Sequence, residues 1–251
     1  MSNTSNIKKA EIQREHQAGP GLNNAGQPVT GAARTPVTWV SLGAMAYDQA
    51  LDRQMRQAQA VLEGDDSQTV YFVEHPPTIT IGRNGTSEHI LAPKAYLEQQ
   101  GFSVYEVDRG GDVTYHGPGQ AVLYPVLHLA PWGNDVGRYV RMLEQCAMTA
   151  LSYVGIRAER LEGYPGAWVG DNKICAIGAR VKRRIDSEFV TSHGLALNVN
   201  PNLGHFSTII PCGIQDKGVT SVARELGKDV EFSEWEKRLK DAFAEVFEVE
   251  V

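Results

Sequence analysis

RGGDVTYHGPGQAVLYP, residues 109–125, packs four glycines and two prolines around a charged and aromatic centre, then turns into an apolar, strand-like run. Glycine loses more backbone freedom on folding than any other residue, so such a loop is costly to order. It lacks the G-K-[S/T] ending of a Walker loop and the G-x-G-x-x-G order of a dinucleotide fold. What remains is a set of close-approach glycines, Gly110, Gly111, Gly117 and Gly119, with Arg109, Thr114, Tyr115 and His116 among them. Two readings fit the residue types: a substrate loop, or a wide β-hairpin with a glycine-rich turn.

Outward from this loop the periodicity changes. Upstream, QTVYFVEH and TITIG read as strands separated by Pro76 and Pro77, PKAYLEQQG as a short helix and FSVYEV as a strand. Apolar residues at Tyr47, Leu51, Met55, Ala58 and Leu62 predict a helix over 44–62 that Gly64 stops. Downstream, Val136, Tyr139, Leu143, Cys146, Ala150 and Val154 mark a helix over 135–154. Four short strands follow, GAWVG, KICAIGARV, EFVTS and GLALNV. A last helix starts at Ser233, where Ser233 and Glu236 form an S-x-x-E capping box ahead of the stripe Trp235, Leu239, Ala242 and Val246. Strands outnumber helices and several are joined by short turns. The expected class is therefore α+β, with a mixed, largely antiparallel sheet flanked by helices.

The chain has 251 residues and a formal net charge of −6, so no global electrostatic case exists for nucleic acid. Residues 1–36 are rich in Asn, Gln, Gly, Ser and Ala and are expected to form a disordered tail, with a targeting arm as the alternative. A single domain is expected over 37–251. No apolar run reaches the ~18 residues of a membrane span. The three cysteines form neither a disulfide framework nor a zinc pattern. The expectation is a cytoplasmic protein with no membrane partner and no metal.

Each cysteine has a local reading. Cys146 lies on a helical apolar stripe and reads as core. Strand alternation sets Cys175 on the same face as Lys173, whose ammonium would lower a thiol pKa; the alternative is a core-facing cysteine. Cys212, in the turn IIPCGI, is either presented to a cleft or tucked under a loop. His75, His116, His128, His193 and His205 are all available as a base, and spacing does not choose among them. The RVKRR run places Arg180, Lys182 and Arg184 on one strand face, either a solvated edge or a dock for an acidic partner.

Taken together, RGGDVTYHGPGQAVLYP (109–125), DNKICAIGARV (171–181), SHGLALNVN (192–200) with IIPCGI (209–214), and EHPPTITIGR (74–83) resemble the lipoyl(octanoyl) transferase family, block by block and in the family order. The stretch RRIDSEFVTS departs from the pattern by a few extra residues. The resemblance implies the mixed α/β catalytic fold of the biotin and lipoate protein ligases. It also implies a catalytic Cys212 with Lys173 as its partner. The implied substrate site comprises Arg109, Gly110, Gly111, Asp112, Val113, Thr114, Tyr115 and His116, with Ala176, Ile177, Gly178, Gly194, Leu195 and Ala196. The implied reaction moves an octanoyl or lipoyl group from octanoyl acyl carrier protein to lipoyl domains of 2-oxoacid dehydrogenase acyltransferase subunits and the glycine-cleavage H protein. Thioester to amide runs downhill, so no cofactor is implied. An ATP-dependent lipoate or biotin ligase, a cysteine acyl-thioester hydrolase and a carrier-binding module are the competing expectations.

Overall fold

The computed structural model describes residues 35–210 and 217–251. The reading of residues 1–34 as a disordered tail, and Cys212 with its turn residues 211–216, fall outside the described residues.

The strands are β1 (Thr35–Pro36), β2 (Thr38–Ala44), β3 (Thr69–Glu74), β4 (Thr78–Ile81), β5 (Ser103–Glu106), β6 (Val113–His116), β7 (Gln120–Val126), β8 (Glu159–Leu161), β9 (Tyr164–Val169), β10 (Asn172–Arg183), β11 (Phe189–Asn198), β12 (Gly218–Val219) and β13 (Val249–Glu250). The helices are α1 (Tyr47–Leu62), α2 (Lys94–Gln99), α3 (Val136–Ser152), α4 (Val222–Leu226) and α5 (Glu234–Phe247). The principal sheet has the order β2-β3-β7-β11-β10-β9-β8, with β12 added beside β10. The β2/β3 and β10/β12 pairs are parallel and the others antiparallel. A second sheet, β5-β4-β6, carries the end of the glycine-rich loop. Thr35–Pro36, which the sequence assigns to the tail, pair in parallel with Val249–Glu250.

Strand alternation divides the apolar residues between the two faces of the principal sheet. Phe72, Leu123, Leu195 and Leu197 face α3 and α5, where Leu143, Trp235 and Phe243 close the main core. Val73, Val122, Tyr124 and Ala196 face α1 and pack on Tyr47, Ala50 and Ala58. The second sheet has its own apolar cluster, built on Ile79, Val113, Tyr115 and Phe206.

Four local expectations change. The buried stripe of α1 is Tyr47, Ala50, Gln54, Ala58 and Val61, rotated from the expected set, with Leu51 and Leu62 only partly buried against the same cluster. EFVTS and GLALNV join into the single strand β11, since its pairing with β10 runs unbroken from Phe189 to Leu197. The capping box does not form: Ser233 makes no side-chain cap bond, and Glu236 instead accepts hydrogen bonds from Trp39 Nε1 at 2.9 Å and Ser41 Oγ at 3.0 Å. Lys173 and Cys175 do not alternate simply, because a bulge interrupts the pairing of β10 with β9 between them, and Ile174 and Cys175 both enter the main core.

Candidate active site

The glycine-rich loop does not hang free; it is laid on β10 and pinned by Arg109. Gly110 N donates to Ala179 O at 2.9 Å. The buried Arg109 guanidinium donates from Nη2 to Thr80 O at 2.8 Å and to Asp112 O at 2.7 Å, and from Nε to Thr80 Oγ1 at 3.1 Å. The glycines make this contact sterically feasible. A Cβ on Gly82 would stand 2.4 Å from Gly111 O, and one on Gly178 would stand 3.0 Å from Gly110 O and 3.1 Å from Arg109 Cδ.

Beneath the loop is a narrow cavity on the α1 side of the principal sheet. Its roof is Arg109, Gly111, Asp112, Thr114 and His116. Its floor is Ala176, Ile177 and Gly178 of β10 with Gly194, Leu195 and Ala196 of β11. These residues are distant in sequence, and the antiparallel register Ala176↔Ala196, Ile177↔Leu195, Gly178↔Gly194 sets them side by side. A second cavity of about 460 Å³ adjoins the first across Gly111, Asp112, Ile177 and Gly178, and its wall includes Gly110 and Lys173.

Alternation along β6 sorts the remaining residues of the loop block. Thr114 and His116 face the cavity, whereas Val113 and Tyr115 point the opposite way into the third apolar cluster. Tyr115 Oη is 2.7 Å from His205 Nδ1. These two side chains serve the packing of the small sheet and do not line the cavity.

Four lining residues were not singled out as substrate contacts by sequence: Tyr47, Val122, Tyr124 and His193. Tyr47 and Tyr124 read as core positions of a helix and a strand, and nothing local marks them otherwise. His193 carries a signal visible only in the backbone. It holds φ 55 in the middle of β11, a conformation L residues rarely adopt. Its N–H donates to Gln54 Oε1 at 2.9 Å, and its Nε2 lies 3.1 Å from Asp108 Oδ1. That hydrogen bond, above all, holds the Asp108 carboxyl down at about 2.

His75 and His116 are neutral near pH 7. His75 Nδ1–H donates to Met45 O at 2.8 Å, so its Nε2 accepts from Tyr124 Oη at 2.8 Å. Burial lowers the His75 pKa to about 4. Burial likewise lowers His116 to about 3. Its ring stacks on Tyr47, with centroids 5.8 Å apart. His128 lies elsewhere, paired with Glu188.

The described thiols are both inert. Cys146 and Cys175 are fully buried, and burial pushes the Cys175 thiol up to about 12 despite the opposing charge of Lys173. Such a thiol is ionised to about one part in 10⁵ at pH 7, far below a useful nucleophile. The Lys173 ammonium lies 4.8 Å from the centroid of the Trp168 ring. Beside it, Gly166 holds φ 140 and lies so close to β10 that a Cβ there would stand 2.5 Å from Cys175 O. The described residues on either side of 211–216 have partners of their own. Ile210 N donates to His89 O at 2.8 Å, and the His89 ring sits 2.6 Å from Asp112 Oδ2. On the other side, Val219 is in register with Lys173.

Two cations of the basic run at the end of β10 are paired with carboxylates. Arg180 lies 3.4 Å from Asp108, and Arg184 lies 3.3 Å from Asp66 and 2.9 Å from Asp186. Among the described residues, no group of His, Cys, Asp and Glu could hold a metal ion, and no helix is long and apolar enough to cross a membrane.

The mixed sheet and its flanking helices share the fold of solved lipoate protein ligases. The backbone superposes on lipoate-protein ligase A bound with ATP at a TM-score of 0.65 and 18% identity, covering 86% of this chain and 87% of that one. It superposes on the bi-partite lipoate protein ligase of Thermoplasma acidophilum at 0.64 and 18%, covering 86% and 85%. Within that fold the chain belongs to the lipoyl protein ligase A/B catalytic domain family, which matches residues 44–244. The octanoyltransferase of Chloroflexus aggregans is 46% identical over 215 residues, 85% of this chain and 96% of that protein. That of Parabacteroides distasonis is 42% identical over 218 residues, 82% and 96%.

Proposed function

We propose that this chain is an acyltransferase that moves an octanoyl group from a carrier-protein thioester to the acceptor lysine of a lipoyl domain, by way of a thioester on Cys212. The domain that does so is residues 37–251. The observation that carries the reading is the meeting of two cavities at Gly111, Asp112, Ile177 and Gly178, one narrow and floored by small and apolar residues, the other holding Lys173. A thioester substrate has that shape: an apolar acyl chain on one side of the reacting carbon and a polar arm on the other.

In the first half-reaction the Cys212 thiolate attacks the acyl carbon, the bond to the carrier sulfur breaks, and the carrier thiol leaves with a proton. In the second, the acceptor amine attacks, the bond to Cys212 breaks, and the amide nitrogen releases a proton. A free thiol of pKa ~8.5 is only about 3% thiolate at pH 7; lowering it by ~1.5 units, roughly 2 kcal/mol, would ionise about half of it. A positioned ammonium in a partly desolvated cleft supplies an effect of that size. Lys173 is that cation, with its ammonium held 4.8 Å from the centroid of the Trp168 ring. Val219, in register with Lys173, and Ile210, bonded to His89, anchor the two ends of the segment that carries Cys212.

The acyl chain lies along Ala176–Gly178 and Gly194–Ala196, where each buried CH₂ contributes ~0.8 kcal/mol. His116 and the 109–114 backbone lie over the acyl carbonyl. The donor is octanoyl acyl carrier protein. The acceptors are the lipoyl domains of 2-oxoacid dehydrogenase acyltransferase subunits and the glycine-cleavage H protein. Intact-mass spectrometry after mixing with octanoyl carrier protein tests the route. An octanoyl adduct is expected on wild type and Cys175→Ser, and none on Cys212→Ser. An adduct surviving on Cys212→Ser, or turnover of free octanoate with ATP alone, rejects it.

A further inference from the structure

Behind the cavity wall runs a chain of buried amides that the chemistry above does not use. His116 Nδ1–H donates to Gln120 Oε1 at 2.7 Å. Gln120 Nε2 donates to Asn198 Oδ1 at 2.9 Å and to Tyr115 O at 3.2 Å. Asn198 Nδ2 donates to Thr220 O at 3.0 Å. Residue 220 is in turn bound to the lysine strand, its N–H donating to Lys173 O at 3.0 Å. Gln120, Asn198 and Thr220 are 1%, 4% and 1% exposed, so water cannot replace these partners.

The direction of the chain is fixed by its ends. Tyr115 O and Thr220 O are backbone carbonyls and can only accept. Asn198 must therefore turn Nδ2 to Thr220 and Oδ1 to Gln120. Gln120 must answer with Nε2, which leaves only its Oε1 for His116. An acceptor there demands a proton on His116 Nδ1, and Nε2 is then the ring's lone-pair nitrogen. The ring itself lines the cavity.

We infer that Gln120 and Asn198 are positioning residues of the transfer site: they hold His116 as the Nδ1–H tautomer, ready to accept a hydrogen bond from the incoming lysine amine, and tie that ring to the backbone of Lys173. The inference rests on the transferase reading above. Burial favours the uncharged ring, which the role requires, because a doubly protonated imidazole accepts nothing. The chain also explains why a glycine-rich stretch ends in a buried glutamine: the residue belongs to β7, yet it serves the roof and the lysine strand together.

The test joins a spectroscopic readout to a kinetic one. Nitrogen-15 NMR of histidine-labelled enzyme at pH 7, assigned with His116→Gln, is expected to show His116 protonated at Nδ1. Gln120→Met keeps the length and removes the acceptor. It should admit the Nε2–H tautomer and slow transfer from preformed octanoyl-enzyme to a lipoyl domain by roughly tenfold to hundredfold. Acylation by octanoyl carrier protein should change much less. An Nε2–H ring in the wild type overturns the inference whether or not any variant folds. So does a Gln120→Met enzyme that transfers to the lipoyl domain at the wild-type rate. A wild type that forms no octanoyl adduct at all overturns the transferase reading instead, and the NMR result stands apart from that.

Discussion

Gly178 and Gly194 face each other across β10 and β11, yet they are small for different reasons. A Cβ on Gly194 would lie 2.3 Å from Leu123 O and 2.7 Å from Pro125 Cδ, inside the backbone of β7. Nothing there can yield without separating two central strands. Gly194→Ala should therefore destabilise the protein by about 1–3 kcal/mol or more, seen as a lower midpoint in urea unfolding. A Cβ on Gly178 meets the loop instead, at Gly110 O and Arg109 Cδ, and a few tenths of an ångström relieve it. Gly178→Ala should keep nearly all of its stability and raise KM for the octanoyl donor, because the displaced loop is the cavity roof. Equal losses of stability in the two variants would refute the distinction. At this scale the sequence was a partial guide. It marked the loop glycines, but it left Cys175 open, because alternation set that thiol beside Lys173. The bulge that carries Cys175 into the core arises from pairing with β9, which no local pattern of the chain expresses.

Among the elements, strands and helices were legible wherever one period dominated. The apolar run of β7 and the stripe of α3 are examples, since each is set by the face it buries. Two misreadings share one physical cause. The sequence left His193 between the two strands EFVTS and GLALNV, but hydrogen bonds to β10 and the clamp from Gln54 carry the strand through this strained residue. The S-x-x-E signature at α5 failed because Glu236 has stronger claims on it, from Trp39 and Ser41 of β2. In both places a tertiary partner outcompeted a local one. The difference is measurable at α5. A working capping box would make Ser233→Ala cost ~1 kcal/mol. The observed bonding predicts a loss under ~0.5 kcal/mol for Ser233→Ala, and a larger loss, on the order of 1 kcal/mol, for Glu236→Ala. Chemical denaturation of the two single variants decides it, and the reverse ranking would reinstate the box.

Over the whole molecule, the fold buries imidazoles that water would readily protonate, His116 in the cavity wall and His75 beside it, and this ties stability to pH. His75 and His116 titrate near 4 and 3 in the folded chain because burial penalises the charged ring, whereas an unfolded histidine titrates near 6.5. Below pH 6.5 the unfolded state therefore binds more protons than the folded one, and stability falls as pH falls. The loss starts at 6.5, continues to about 4 for His75 and about 3 for His116, and stops once both states are protonated. Each unit of separation corresponds to about 1.4 kcal/mol, so either ring alone accounts for a loss on the order of a few kcal/mol. Asp108 acts lower: its carboxyl, held near 2 chiefly by His193, keeps its stabilisation above the ordinary carboxylate pKa and loses it as pH falls towards 2. Thermal unfolding should thus be flat from pH 7 to 8 and decline steadily between 6.5 and 4. His75→Gln removes one of the buried bases, and its midpoint should fall less steeply over that interval even if it starts lower at pH 7. A His75→Gln profile parallel to the wild type would show that the buried imidazole is not what the fold loses in acid.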